Sequence, residues 1–244
     1  MKTLKFSLLT LAFVLVAFVN GYSQTLDEII SKNTEAMGGM DKIKSLTSIY
    51  LENSFMAMDN ESTSTSVVLN GKGAKTKTDF NGQSMIQCYT DKGGWAINPM
   101  SGSSDATAMP QEQYNMGKNQ IYIGQTFMDY AAKGNKVELV GKEKLENSDV
   151  FKIKVTSSDN NTTVYYIDAT TYFVVQSTMS AEMMGQKMDV VTKYSDYQKT
   201  DFGYVIPRTT AVSYGDQFSM TMKVKKVEIN KPVDPTIFDL GNTK

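Results

Sequence analysis

The stretch YYIDATTYFVVQSTM, residues 165–179, holds two apolar runs separated by the corner Asp168-Ala169-Thr170-Thr171. Bulky aromatic and aliphatic side chains fill nearly every position of both runs. The polar/apolar alternation of a half-buried strand is therefore imperfect, and both faces of these strands need cover. Thr162–Ile167 is expected as one strand and Tyr172–Met179 as the next. Asp168 is expected at the corner between them, its side chain capping the turn's backbone.

The same period of two extends in both directions. Ile49, Leu51, Phe55 and Ala57 form one set, and Phe151, Ile153 and Val155 alternate with Lys152 and Lys154. Met188, Val190 and Tyr194 share a parity, as do Phe218, Met220, Met222 and Val224. The last set flips to Val227 and Ile229, which predicts a bulge near Lys225-Lys226 that bends the sheet. Turn chemistry at Asn70-Gly71, Asn81-Gly82, Gly93-Gly94, Ser157–Asn161, Met184-Gly185 and Gly215-Asp216 separates the runs. The pattern predicts successive antiparallel hairpins totalling roughly ten or eleven strands.

Helical spacing occurs in two places. Thr25-Leu26-Asp27-Glu28 has the form of a capping box, Leu26, Ile29, Ile30 and Met37 recur on one face, and Gly38-Gly39 is the stop. A further helical turn is expected over Asp41–Leu46. Between Pro110 and Gly134 the alternation fails, and Tyr130-Ala131-Ala132-Lys133-Gly134 ends like a helix with a basic last turn. Many antiparallel strands with a few helices on one side make an α+β layer arrangement.

Before the first helix, Lys2 and Lys5 precede an apolar stretch, Leu8–Val19, followed by Gly21-Tyr22-Ser23. The stretch is shorter than the ~18–20 residues that cross a bilayer, so residues 1–23 are expected to be a cleaved secretory signal peptide, and 24–244 one domain. That implies a periplasmic location. The mature chain carries 23 basic and 26 acidic residues. This balance gives no basic face for nucleic acid.

The chain has no His and a single Cys, Cys88. Ser-His-Asp or Cys-His catalysis and imidazole zinc sites are excluded, and stability must come from packing rather than disulfides. Cys88 and the lone Trp95 are expected as buried residues of the sheet. Asp168, Glu182, Asp189, Asp196 and Asp201 are carboxylates of the type that glycoside chemistry uses, but each sits near a turn or on a polar parity, where a solvated role explains it. The glycine pairs lack phosphate-loop spacing. Sixteen Met residues fit an adaptable apolar site as well as an ordinary core. Met56-x-Met58 and Met220-x-Met222 would also suit soft Cu(I), but copper carriers usually add His or Cys. No cofactor or metal is expected.

The order of several motifs resembles Bacteroidota outer-membrane lipoprotein-sorting proteins of the LolA-like superfamily. They are Glu35-Ala36-Met37-Gly38-Gly39, Lys42–Leu46, Tyr130–Glu143, Tyr165-Tyr166-Ile167-Asp168, Phe202–Pro207 and Val233–Phe238. The resemblance implies an unclosed antiparallel β-barrel with helices over its concave side, an apolar cavity for acyl chains, and no bond-breaking step. It also implies lipid or lipoprotein acyl chains as cargo, with membrane-bound donor and acceptor proteins as partners. Proteobacterial members are thought to use an arginine in an early strand; no early strand here has one, so that role is not carried over. On this reading Phe55, Tyr166, Val174, Met188, Val190, Met220 and Met222 line the cavity. Tyr122, Phe127 and Tyr130 are candidate lid contacts, for which core packing is an equal account. The competing reading is an envelope protein binding another apolar ligand or a protein partner with the same fold.

Overall fold

The computed structural model describes residues 24–57, 60–80, 82–99, 104–158, 160–183, 186–216 and 218–243. The expected signal segment 1–23, Met58 and the Met184-Gly185 turn lie outside the described residues. Among the described residues, no helix is long and apolar enough to cross a membrane.

Thr25 caps helix α1 (Leu26–Ala36) in the expected box: its hydroxyl accepts from the Glu28 amide, and the Glu28 carboxylate accepts from the Thr25 amide. Gly38 and Gly39 follow with φ of 116° and 92°, values that only glycine adopts without strain. Gly38 is also held tight, since a Cβ there would stand 2.6 Å from the Gly203 carbonyl oxygen. A one-turn helix, α2 (Met40–Lys44), leads into the sheet.

Among the described residues, thirteen antiparallel strands form one open sheet. They are β1 (Ser48–Ala57), β2 (Asn60–Leu69), β3 (Gly73–Phe80), β4 (Gln83–Thr90), β5 (Gly94–Ile97), β6 (Thr107–Ala108), β7 (Lys136–Leu145), β8 (Ser148–Thr156), β9 (Thr162–Asp168), β10 (Val174–Met183), β11 (Gln186–Lys199), β12 (Val205–Tyr214) and β13 (Phe218–Ile229). The sheet order is β6-β5-β4-β3-β2-β1-β13-β12-β11-β10-β9-β8-β7, so β1 pairs with β13 and the free edges are β6 and β7. The count exceeds the expected ten or eleven because β5 and the two-residue β6 are too short to show a period. Ion pairs join edge strand β7 to β8, Lys142 of β7 with Asp149 and Glu138 of β7 with Lys154, and such edge charges discourage edge-to-edge pairing.

The bulge anticipated near Lys225-Lys226 is present: Glu52 pairs with Lys226 but Asn53 with Val224, leaving Lys225 unmatched. It keeps Met222, Val224, Val227 and Ile229 on one face despite their changed parity. At the opening corner, Asp168 Oδ1 accepts from the amides of Thr170 (3.0 Å) and Thr171 (2.7 Å) and from the Thr171 hydroxyl. Tyr172, with φ 59°, completes the turn, so β10 begins at Val174 rather than Tyr172.

Two separate covers lie on opposite faces. On the inner face, α1, α2 and the segment 123–128 pack on β7–β10 and β12 through Ile29, Met37, Phe127, Ile153, Tyr165 and Val174. Phe127 meets Tyr165 edge-on at 5.1 Å, and Phe173 stacks on Tyr197 at 4.2 Å. On the outer face of β2–β5, the C-terminal strand-free segment packs Val233, Ile237 and Phe238 against Ile86, Cys88, Trp95 and Ile97. Phe238 fits because Gly73 has no side chain; a Cβ there would stand 2.6 Å from the ring.

The long helix expected over 110–134 is replaced by shorter pieces. Helix α3 (Gln111–Gly117) runs into a 3-10 turn, Lys118–Ile121. Residues 126–134 form successive turns, because Gly124 (φ 102°) and Asp129 (φ 50°) take left-handed conformations that end helical propagation.

Candidate functional site

The inner face is not filled along its whole width. Between the α1–α2 cover and α3 lies a cavity of about 900 Å3, bounded by β1–β4, β12 and β13 and roofed by Gln120, Tyr122, Ile123 and Gly124. The register explains its two walls. Inner-face pairs across β13, β1, β2, β3 and β4 run Met222–Phe55–Ser62, Val224–Asn53–Ser64–Thr78–Met85 and Val227–Leu51–Ser66–Thr76–Gln87. From β12 to β1 the wall is mostly apolar, Val212, Met220, Met222, Val224, Leu51 and Phe55, with Thr210 and Asn53 as its polar members. From β2 to β4 it is mostly hydroxyl and amide: Ser64, Ser66, Thr76, Thr78 and Gln87.

The roof is tied to the β2–β3 turn. Asn70 Nδ2 donates to the Leu46 carbonyl (2.9 Å), its Oδ1 accepts from the Ile123 amide (3.0 Å), and the Gly71 amide donates to the Ile121 carbonyl (2.8 Å). Beneath α3, the bare Gly117 admits the Tyr89 ring from β4. Tyr204, at the closed side of the cavity, has its phenol pushed up to about 12 by burial, so it stays neutral at physiological pH. Cys88 faces the other way. Its thiol donates weakly to the Phe238 carbonyl and burial pushes it up to about 12, which makes it a packing residue and not a nucleophile.

The sequence-derived residues divide into five groups. Phe55, Met220, Met222 and Tyr122 stand on the cavity. Val174 and Phe127 lie on the same inner face but are fully buried in the filled half, where α1 and segment 123–128 leave no gap. Met188 and Val190 share the inner face of β11, since Val190 pairs with Tyr214, yet lie beyond the cavity's edge. Tyr130, on the turns after Phe127, does not reach the cavity.

Tyr166 requires a correction. It pairs with Lys152 and Gln176, and the Lys152 ammonium sits 5.4 Å from its ring on the outer face; the inward residue of the pair is its neighbour Tyr165. In a run with aromatics at both parities, the facing is set by Ile153 and Ile167, which pack inward beside Tyr165. The polar wall was not anticipated. Its signal was the Ser62-Thr63-Ser64-Thr65-Ser66 run, whose small hydroxyl side chains alternate between faces without any apolar mark.

Among the described residues, no group of three or more His, Cys, Asp or Glu side chains could hold a metal ion. Met220 and Met222 do share a face on the cavity wall, whose lining adds one further thioether, Met85 of β4, among hydroxyls and amides.

No protein-family model and no curated protein matches the chain. Solved structures do. A LolA superfamily protein from Nitrosomonas europaea is 10% identical with a TM-score of 0.59, covering 88% of this chain and 98% of that one. A putative outer membrane lipoprotein-sorting protein domain from Vibrio parahaemolyticus is 13% identical with a TM-score of 0.56, covering 87% and 95%. A DUF1329 family protein from Desulfovibrio piger is 10% identical with a TM-score of 0.52, covering 89% and 98%. Identities this low establish the fold: this chain folds as the LolA-like proteins do, an open antiparallel sheet wrapped around an inner cover.

Proposed function

We propose that the protein is an exported carrier that binds lipid, or the acyl chains of lipoproteins, in the cavity between β1–β4, β12 and β13, and performs no bond-breaking step. The observation that carries this reading is the cavity itself. At about 900 Å3 it lies at the upper end of ligand-pocket sizes, roughly 300–1,000 Å3, and its wall from β12 to β1 is built mostly from flexible or branched apolar side chains. Burying a chain contributes about 0.8 kcal/mol per methylene, so one 16-carbon chain supplies on the order of 12 kcal/mol. Because the site is preformed and the α1–α2 cover fills a different part of the trough, entry does not require a helix to be expelled. Affinity is then moderated by the roof Gln120–Gly124, anchored at Asn70, and by the polar wall. Outer-membrane lipoprotein sorting is the role that the fold's sorting-protein neighbour suggests, with a periplasmic location to match the expected signal segment.

The test is direct. Protein purified after export is extracted with organic solvent and the extract analysed by mass spectrometry for bound acyl species. Near-stoichiometric lipid is the expected result. Protein recovered empty in repeated preparations, which also fails to take up acylated peptides, would overturn the carrier reading.

A further inference from the structure

A carrier for hydrocarbon alone would have no use for a wall of hydroxyls. We propose that the cavity selects uncharged acyl lipids carrying ester or amide carbonyls, reading those carbonyls with the Ser64, Ser66, Thr76, Thr78 and Gln87 wall and rejecting anionic lipids; the proposal rests on the carrier reading above.

Three observations lead there. First, no Asp, Glu, Lys or Arg is among the residues lining the cavity. On β3 and β13 the lysines are on the outer parity: Lys75 and Lys77 alternate with Thr76 and Thr78, and Lys223 and Lys225 with Met222 and Val224. Arg208 of β12, whose buried Nε has no hydrogen-bond partner among the described residues, shares the parity of Thr210 and Val212 but is not a lining residue. A phosphate or carboxylate drawn inside would meet no opposing charge among the lining residues, and burying an unpaired anion is costly.

Second, the polar wall is only partly satisfied from within the protein. Ser66 and Thr76 hydroxyls pair at 3.0 Å, and Asn53 Nδ2 donates to Ser64 Oγ at 3.3 Å. Thr78 and Gln87 make no side-chain hydrogen bond among the described residues. A plain alkyl chain against them would strip their water and leave donors unmet, whereas a carbonyl oxygen accepts what they offer.

Third, the two walls face each other across one space. Acyl chains laid on Met220, Met222, Val212 and Leu51 would turn their linkage region toward β2–β4. An ester- or amide-linked diacylglyceryl group has that division of chemistry, with apolar chains and neutral carbonyls at one end.

The experiment compares wild type with the variant Ser64→Ala/Ser66→Ala/Thr76→Val/Thr78→Val. Retention of labelled dioleoylglycerol, dioleoylphosphatidylglycerol, a synthetic diacylated lipopeptide and hexadecane is measured after gel filtration. Wild type is expected to retain dioleoylglycerol at least about tenfold better than the phosphatidylglycerol, and the variant to lose about tenfold for dioleoylglycerol while holding hexadecane as well or better. Thr78→Val alone, which conserves shape, should lose about two- to fivefold and serves where the fourfold variant fails to fold. Preference for the lipopeptide over free dioleoylglycerol would identify a lipoprotein as the source of the glyceride; the reverse preference would identify free lipid, and both support the class. Equal retention of neutral and anionic lipid, or variants indistinguishable from wild type on dioleoylglycerol, overturns this inference and leaves the carrier intact. Wild type that retains none of the four probes overturns both.

Discussion

Replacing Phe238 by Ala tests the cover on the outer face. The ring is 5% exposed, lies over Gly73, and joins Ile86, Cys88, Trp95 and Ile97 in a small core remote from the α1–α2 cover. Burying a Phe side chain contributes about 1.5–3 kcal/mol by transfer alone. The space left by truncation adds a cavity term, because Gly73 offers nothing to fill it and Trp95 is held in place by its 2.8 Å bond to the Phe238 carbonyl. The total falls in the range of about 3–5 kcal/mol typical of buried Phe→Ala. With a urea slope of about 2–3 kcal/mol/M, the midpoint should drop by about 1–2.5 M. Trp95 is the only Trp of the chain and touches the perturbed site, so its fluorescence follows the transition without an introduced probe. Acyl retention in native buffer should not change, since the cavity is on the opposite face. A loss below about 1 kcal/mol with an unaltered Trp95 spectrum would refute the idea that this segment is a structural cover.

Three other outcomes follow from the same geometry. Val212→Trp should occupy the apolar wall and cut acyl retention about tenfold or more, while the urea midpoint moves by less than about 0.5 kcal/mol equivalent, because the ring enters open space rather than a packed core; unchanged retention would remove Val212 from the site. Gly117→Val should destabilise by about 1–3 kcal/mol and loosen α3, since any side chain there meets the Tyr89 ring, and protease nicking near residue 117 checks it. The Cys88 thiol and the Tyr165 and Tyr204 phenols, each pushed up to about 12 by burial, are protonated in the fold. Their unfolded values are lower, so the stability they contribute is intact below about pH 8.5 and declines as pH rises toward 12. Urea midpoints at pH 8, 9.5 and 10.5 should fall in that order, and native Cys88 should resist a thiol reagent at pH 8 until the chain unfolds.

Much of the fold was legible locally. The Thr25–Glu28 capping box, the Gly38-Gly39 stop, the Asp168 corner and the bulge at Lys225 all depend on contacts within a few residues, and each leaves a short-range mark. The candidate site was legible only in part. Phe55, Met220 and Met222 follow from parity on strands whose opposite face is charged or hydroxylated, so their facing was unambiguous. Tyr166 misled because both parities of its strand are bulky, and only the neighbouring strands choose between them. Val174 and Phe127 face inward as expected, but whether an inward residue borders a gap or a packed helix depends on an element more than a hundred residues away in the first case.

The amino-acid sequence by itself determined the strands, their turns, the bend, and the exclusion of imidazole and disulfide chemistry, because each is a matter of residue type and spacing along the chain. Only the tertiary structure decided that α1 and α2 fill one half of the trough, that residues 233–242 cover the other face, and that hydroxyls oppose methionines across an open cavity. Those outcomes are set by which distant segments meet and how far apart they stop, and a one-dimensional pattern carries no record of that separation.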